Sequence, residues 1–425
     1  MPRRSGARGR QGGRSLHAPE GDPPGNGRLG TSLRTLVVSD LHLGARNHGD
    51  LLRREDLRAS LLGALTGFDR LVLLGDVVDL RQAPLRGALR DAEKVLGAIG
   101  AALGPGREVL IVPGNHDHHL LGPWLERRAQ ARAPSRLGLE AAVDWHADDI
   151  LAGIAEPLAP ASVRAAYPGA WLRHDVYATH GHYLDRHTTV PSFERLAAGA
   201  MARIVRDSAG EPRPEQGEGY EAESYEAEDY EAVLAPIYAW AYALAQTGGD
   251  FPRDSQGASG AAWRALTGTR TGARPRRRAR VEALRASVAR HGLRRRAMIA
   301  AFPVAIAAGN RAGLGPLRAE ISADELRRAA LRALGEVLVR LGVDARYVIF
   351  GHTHRAGPLA GENDAEWTAP TGARLLNTGC WIHEPVFAGD DPSRGPYRPG
   401  FAAVIEAEGP PVLTNLLESV TLCSG

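Results

Sequence analysis

Cysteine is almost missing from this chain: Cys380 and Cys423 are the only two in 425 residues. Two thiols cannot build a disulfide framework, and a reducing compartment is the default expectation. Lysine is missing too, except for Lys94, so the basic character is carried by arginine, a compositional bias without functional weight. No strong charge of one sign exists either. The formal charge is +3, and six arginines against Glu20 and Asp22 put about +4 of it in residues 1–30. The remainder is near neutral, which removes a whole-protein argument for nucleic-acid binding. An apolar run long enough to cross a bilayer is not evident: residues 297–308 are apolar for 12 positions, against roughly 20 for a spanning helix. What the chain has in quantity is glycine (50), proline (28) and 44% hydrophobic residues. That supports many loops around one large domain with additions, or two domains.

Residues 1–30 are rich in Arg, Gly, Pro and Ser and show no apolar periodicity, so a disordered basic tail is expected. No apolar stretch follows its charges, and it does not read as a secretory signal. Beyond it, strands are expected at 34–39, 70–75 and 108–112, separated by helices over about 51–66 and 84–101, with Pro84 in the first turn of the second. This alternation argues for parallel neighbours with right-handed crossovers. Residues 120–170 read as mainly helix and loop, followed by a strand near 174–179. Ser322 and Glu325 predict a capping box, Leu326, Ala330, Leu334, Val337 and Leu341 the apolar face of its helix, and Gly342 its stop. Strands at 345–350, 374–380, 401–406 and 411–416 complete the expected sheets.

Five apolar strands end in the same way. Asp40-Leu41-His42 follows Thr35–Val38; Gly75-Asp76-Val77-Val78-Asp79 follows Leu71–Leu74; Gly114-Asn115-His116-Asp117-His118 follows Val109–Val112 by way of Pro113. Thr179-His180-Gly181-His182 follows Val176–Ala178, and Gly351-His352-Thr353-His354 follows Tyr347–Phe350. In open α/β sheets, ligands bind outside the carboxyl ends of strands, so these five ends predict one cup of oxygen and nitrogen donors. Asp40 and Asp76 supply charge, Asn115 a carbonyl oxygen, and His42, His180, His352 and His354 nitrogens. Such donors suit hard or borderline divalent cations. Residues two apart on extended chain share a face, which lets Asp40 with His42, and His352 with His354, reach one centre. Seven donors exceed one tetrahedral zinc and suit two metals sharing a carboxylate.

In that order these motifs resemble the calcineurin-like metallophosphoesterase family over roughly 33–182 and 345–410. The resemblance implies a four-layer α/β/β/α sandwich, here carrying a large, mainly helical insertion. The expected domains are the tail 1–30, a core in two parts (31–182 and 345–425), and an insertion or lid over 183–344. The resemblance also implies that Asp40, His42, Asp76 and His354 hold one metal, and Asp76, Asn115, His180 and His352 the other, with Asp76 bridging. Manganese is the expected metal, with iron, zinc or mixed pairs as alternatives. Cations roughly 3.5–4 Å apart clamp the attacking and receiving oxygens and acidify a bridging water, so the family's reaction is hydrolysis of a phosphate ester or pyrophosphate by in-line attack of a bridging hydroxide. His116 matches the family imidazole that contacts the phosphoryl group and protonates the leaving group. Asp79, Asp117, His118, His182, Asp185 and His187 are supporting or substrate-facing candidates.

The insertion opens on Tyr183-Leu184-Asp185-Arg186-His187. Phe193, Leu196, Ala197, Ala200 and Ile204 predict a helical face. Residues 211–231 carry nine acids and one base, most simply a solvated loop, before an apolar helix over about 231–246. Residues 270–296 carry eleven arginines against Glu282. An insertion at this position distantly resembles the lid of UDP-2,3-diacylglucosamine pyrophosphatases, but Gly-Asp-x-x-Asp and His182 depart from that pattern and the substrate is not carried over. The expected partner is a phosphorylated small molecule or amphiphile in a cytoplasmic setting, with peripheral contact to anionic membrane through the arginines. A nuclease or cyclic-nucleotide phosphodiesterase is the alternative enzyme, and a metal-binding scaffold the alternative without catalysis. Deletion of 205–300 is expected to spare hydrolysis of a small ester while changing substrate selectivity.

Overall fold

The computed structural model describes residues 33–45, 49–132, 135–209, 225–247, 304–312, 314–318, 322–383 and 395–418. The basic tail, the acidic stretch 211–224, the arginine-rich stretch 270–296 and residues 297–303 lie outside them.

Three short apolar strands, β1 (Thr35–Val38), β2 (Arg70–Leu74) and β3 (Glu108–Val112), lie side by side and parallel. Their unbroken apolar runs follow from burial on both faces. Alternate residues Leu36, Val38, Leu71, Leu73, Val109 and Ile111 face the helices α1 (Glu55–Leu65) and α2 (Leu85–Leu103). The residues between them, Val37, Val72, Leu74, Leu110 and Val112, meet Ala170, Val176, Ala178, Ile349 and Ile405 of other strands in a second core. A third core packs Val348, Phe350 and Leu375 against Leu334 and Leu338 of the helix Ala323–Arg340. Three buried layers between four structural layers make the expected α/β/β/α sandwich.

The strand order is β10-β9-β1-β2-β3-β5-β6-β7-β8, with the short β4 (Glu140–Ala142) on β5. The remaining strands are β5 (Ser162–Arg173), β6 (Val176–Thr179), β7 (Tyr347–Phe350), β8 (Arg374–Asn377), β9 (Phe401–Ile405) and β10 (Val412–Asn415). The 12-residue β5 is a strand that the reading of 120–170 as mainly helix and loop left out. Its sequence hides it, because three alanines, Pro168 and Gly169 are all poor strand signals. It changes partner midway: Val109 pairs with Val163 in parallel, while Gly169 pairs with Thr179 antiparallel. Gly169 is required there, since a Cβ would overlap the Tyr177 side chain.

Other helices are α3 (Gly122–Gln130), α4 (Ala152–Ala155), α5 (Phe193–Ala209), α6 (Ala227–Gln246) and α7 (Ala323–Arg340), with a further helical segment over 304–311. The first helix begins at Glu55, after a 3-10 turn at Leu51–Arg53, and Pro84 caps α2 from outside its first turn. In α7 only half of the expected capping box forms. Ser322 accepts the Glu325 N–H at 3.2 Å, but the Glu325 carboxylate turns to Arg332 at 2.5 Å and Arg318 at 3.3 Å. Gly342 ends the helix with φ +63°. The expected face of α5 is rotated: Arg195, Ala198 and Ala202 are buried, and Leu196 is exposed. A buried arginine inverted the apolar pattern there, its guanidinium donating to the Thr188 carbonyl at 2.7 Å.

Among the described residues of the acid run, the solvated-loop expectation also fails. Glu226 and Asp229 form the capping box of α6, and Tyr230 is fully buried. Tyr230, Val233, Leu234, Ile237 and Tyr238 join the same core cluster as β1, β2 and α2. No helix among the described residues is long and apolar enough to cross a membrane.

Candidate metal centre

Five non-glycine residues have positive φ among the described residues: Asp40 (+54°), His42 (+45°), Asp76 (+52°), His352 (+66°) and His354 (+57°). All five are ligand candidates. Left-handed backbone at non-glycine residues costs of order 1–3 kcal/mol where it is strained, and it collects at sites the surrounding fold holds in place. Here the second residue beyond β1, β2 and β7 turns back sharply, and its side chain is thrown into the cup. The loops are tied together by main-chain bonds, Asp40 N to the Gly75 carbonyl at 3.1 Å and Gly351 N to the His180 carbonyl at 3.0 Å. Gly114 permits a close approach, because a Cβ would stand 2.6 Å from His180 Cδ2 and overlap Asp76 Oδ1.

Two groups of donors meet. On one side His42 Nε2 lies 3.2 Å from His354 Nε2, 4.0 Å from Asp40 Oδ1 and 3.7 Å from Asp76 Oδ2, and His354 Nε2 is 3.2 Å from Asp40 Oδ1. On the other, His180 Nε2 lies 3.3 Å from Asp76 Oδ2 and 3.2 Å from Asn115 Oδ1, which is 3.1 Å from His352 Nδ1. Asp40, Asp76, Asn115, His42 and His180 are each at most 3% exposed. The set holds three close groups of metal-competent side chains: Asp40 with His42 and His354, Asp40 with Asp76 and His180, and His42 with Asp79 and His116.

The imidazoles are oriented from behind. His180 Nδ1 faces the Leu74 carbonyl at 3.0 Å, and since a carbonyl only accepts, Nδ1 carries a proton and Nε2 turns to the cup. Asp79 stands 3.4 Å from His42 Nδ1 and 3.1 Å from His116 Nδ1, and Asp185 stands 3.0 Å from His352 Nε2. Carboxylates in this position fix tautomer and ring orientation for a metal. Asp117 holds loops instead, accepting the N–H groups of Val77 at 2.7 Å and Gly114 at 2.6 Å.

The electrostatics call for a cation. Burial would raise the Asp76 pKa, but His180, His116 and His42 outweigh it and hold the carboxyl well below the usual range. Asp40 and Asp79 are likewise lowered by neighbouring imidazoles despite burial. Burial pulls His180 down, yet Asp76 and Asp40 overcome it and push its pKa up to about 9. Burial and the Asp76 charge raise Asp117 to about 6. Among the described residues Asp40 Oδ1 is a buried acceptor that makes no well-formed hydrogen bond, with His354 Nε2 at 3.2 Å and His42 Nε2 at 4.0 Å, a costly arrangement unless a cation meets it. The donor set therefore fits two divalent metals sharing Asp76. His116 sits at the rim, with its N–H on Asp76 Oδ1 at 2.8 Å and its ring 4.6 Å from that of His42; burial lowers its pKa against the pull of Asp79 and Asp76.

His118, His182 and His187 contact other groups. Glu231 of α6 is 2.8 Å from His118 Nε2 and accepts the hydroxyls of Tyr167 at 2.5 Å and Tyr183 at 2.7 Å. His182 Nε2 is 3.1 Å from the Tyr167 hydroxyl, and His187 Nε2 is 2.9 Å from that of Tyr230. Glu231 was invisible in sequence, being one acid among nine in a run. Arg81 and Glu194 were also missed: they pair at 3.1 Å beside the cup, and the Arg81 charge helps lower the His116 pKa.

Residues 33–231 match the family model of the calcineurin-like phosphoesterases. No curated protein matches the chain. The fold, the family match and the clustered His and Asp donors make the protein a metal-binding phosphoesterase with a site suited to dinuclear hydrolysis. Nothing ties the insertion to the diacylglucosamine pyrophosphatases.

Proposed function

We propose that the protein hydrolyses a phosphorylated small molecule with two divalent cations, manganese first among them. Asp40, His42, Asp76 and His354 hold one cation; Asp76, Asn115, His180 and His352 hold the other. The observation that carries this reading is the convergence of His42 Nε2 at 3.7 Å and His180 Nε2 at 3.3 Å on one oxygen of the Asp76 carboxylate, with Asp40 Oδ1 4.0 Å from His42 Nε2. Cations in that place acidify a water and neutralise charge on phosphoryl oxygens.

The chain's own groups do the rest. Asp79 braces both His42 and His116, so one carboxylate fixes a ligand and the neighbouring acid–base group together. The His116 ring stands at 83° to that of His42 and is partly open to solvent, suited to contact the phosphoryl group and to pass a proton to the leaving oxygen. Asp117 keeps the Gly114 loop against the loop that follows β2, which holds Asn115 in place.

The test is metal analysis together with a manganese-supplemented panel of phosphomonoesters, bis-aryl phosphodiesters, nucleoside-diphosphate amphiphiles and single-stranded DNA, with Asp76→Ala as control. Two metals per chain and Asp76-dependent hydrolysis are expected. One bound ion that survives Asp76→Ala would sink the dinuclear assignment, and preference for DNA would move the function to a nuclease.

A further inference from the structure

Behind His352 the described residues leave a cavity of about 220 Å³ that no motif foretold. It runs between the loop after β6, the first half of α7 and the β7–β8 connection. Its walls are largely apolar, with Leu184, Leu331, Phe350, Trp367 and Tyr397 among them. His352 belongs to both spaces. Its Nδ1 lies 3.1 Å from Asn115 in the metal cup, and its Nε2 lies 3.0 Å from Asp185, which also lines the cavity.

The polar atoms there are unsatisfied in a telling way. Asp185 Oδ2, Trp367 Nε1 and Arg327 Nε are buried without a hydrogen-bond partner among the described residues. Asp185 is 6% and Trp367 3% exposed, so solvent does little to relieve them. Buried polar atoms normally find partners. These buried polar atoms lie in walls that are otherwise largely apolar, which suits an uncharged occupant. Among the described residues the cavity offers no spare positive charge. Arg327 already meets Glu366 at 2.6 Å and Glu362 at 3.4 Å, and Arg355 is paired with Glu362. A second phosphate would therefore find no unengaged cation, and it would face the Asp185 carboxylate.

We propose that this cavity is the subsite for the alcohol portion of the substrate: an uncharged, mainly apolar or aromatic group. The subsite rests on the reading that the phosphoryl group sits at the Asp76 centre. It makes the substrate a phosphate ester of a hydrophobic alcohol, and it disfavours one extended by further phosphates. A nucleoside and a simple aryl alcohol share this chemistry, and direct binding separates them. A larger charged hollow between α3 and the start of α6 carries no such argument, because Arg136–Glu226 and Arg128–Glu228 already pair across it.

The experiment is calorimetric titration of adenosine and of 1-naphthol into the manganese-loaded protein, which needs no turnover. At least one should bind. Ala330→Trp and Val190→Trp, which fill the cavity from opposite walls, should each weaken that binding by at least about tenfold while bound manganese is unchanged. Trp367→Phe should weaken it less. Adenosine binding alone would assign a nucleoside, naphthol binding alone an aryl alcohol. No binding of either probe, or binding that both filled variants retain, would overturn the subsite. If an alcohol binds and the fillings abolish it, but no ester is hydrolysed, the subsite stands and the catalytic reading falls.

Discussion

Asp76 is placed so that no other side chain can replace it. It takes the Nε2 of His180 at 3.3 Å and of His42 at 3.7 Å on one oxygen, and the His116 N–H at 2.8 Å on the other. Asp76→Ala is expected to abolish hydrolysis and release both metals, read by elemental analysis beside the assay. His116→Gln removes the acid–base group and leaves the donors, so turnover should fall by about 10²–10⁴-fold with metal content kept; loss of metal in that variant would make His116 a ligand. Asp79→Asn keeps the shape but weakens the hold on His42 Nδ1, and metal affinity should drop by about 10–100-fold. At this scale the sequence was highly legible. Each donor lies within a few residues of an apolar strand end, and the short motifs carry both the residue types and their spacing. Asp185 and Glu231 were harder to place, because each works through a partner far away in sequence.

At the scale of elements, the glycines and α6 carry the sharpest expectations. Gly114→Ala adds only a methyl group, but it would press on Asp76 and His180, so metal affinity should fall while the far-ultraviolet circular dichroism stays that of the folded chain. Helix α6 reads from sequence as part of a detachable lid, yet its tyrosines sit in the main core and Glu231 ties β5 to the loops after β3 and β6. Glu231→Ala would strand two tyrosine hydroxyls and His118, and should cost about 2–4 kcal/mol in denaturant unfolding. Deleting 205–300 would remove α6 itself, so the expectation that small-ester hydrolysis survives is withdrawn. Amphipathic pattern reveals that a helix has a face; it does not say which neighbour covers that face. The same limit hid β5, whose small residues suit a strand pressed between two sheets and look like loop when read alone.

For the whole molecule, the metal centre is also a clasp. Its donors come from both halves of the sandwich, Asp40, Asp76 and Asn115 from one sheet and His180, His352 and His354 from the other. A cation bound only by the folded chain stabilises it by mass action, about 2.7 kcal/mol at a hundredfold excess over Kd. Manganese should therefore raise the melting temperature and a chelator lower it, while Asp76→Ala should show no response to either. The four layers were legible because apolar strands alternated with helices. The way two sheets share one strand was not, since pairing partners leave little trace in a single sequence.

The parallel pairing of β6 with β7 joins Val176 to Tyr347, and everything between must be synthesised before the two can meet. At about 5–20 residues per second, the ribosome needs on the order of ten to thirty seconds for that stretch. Throughout it the nascent chain shows a bare β6 edge and a cup lacking His352 and His354. Metal capture is thus a late event in the life of each molecule, and the waiting edge is where a chaperone has most to protect.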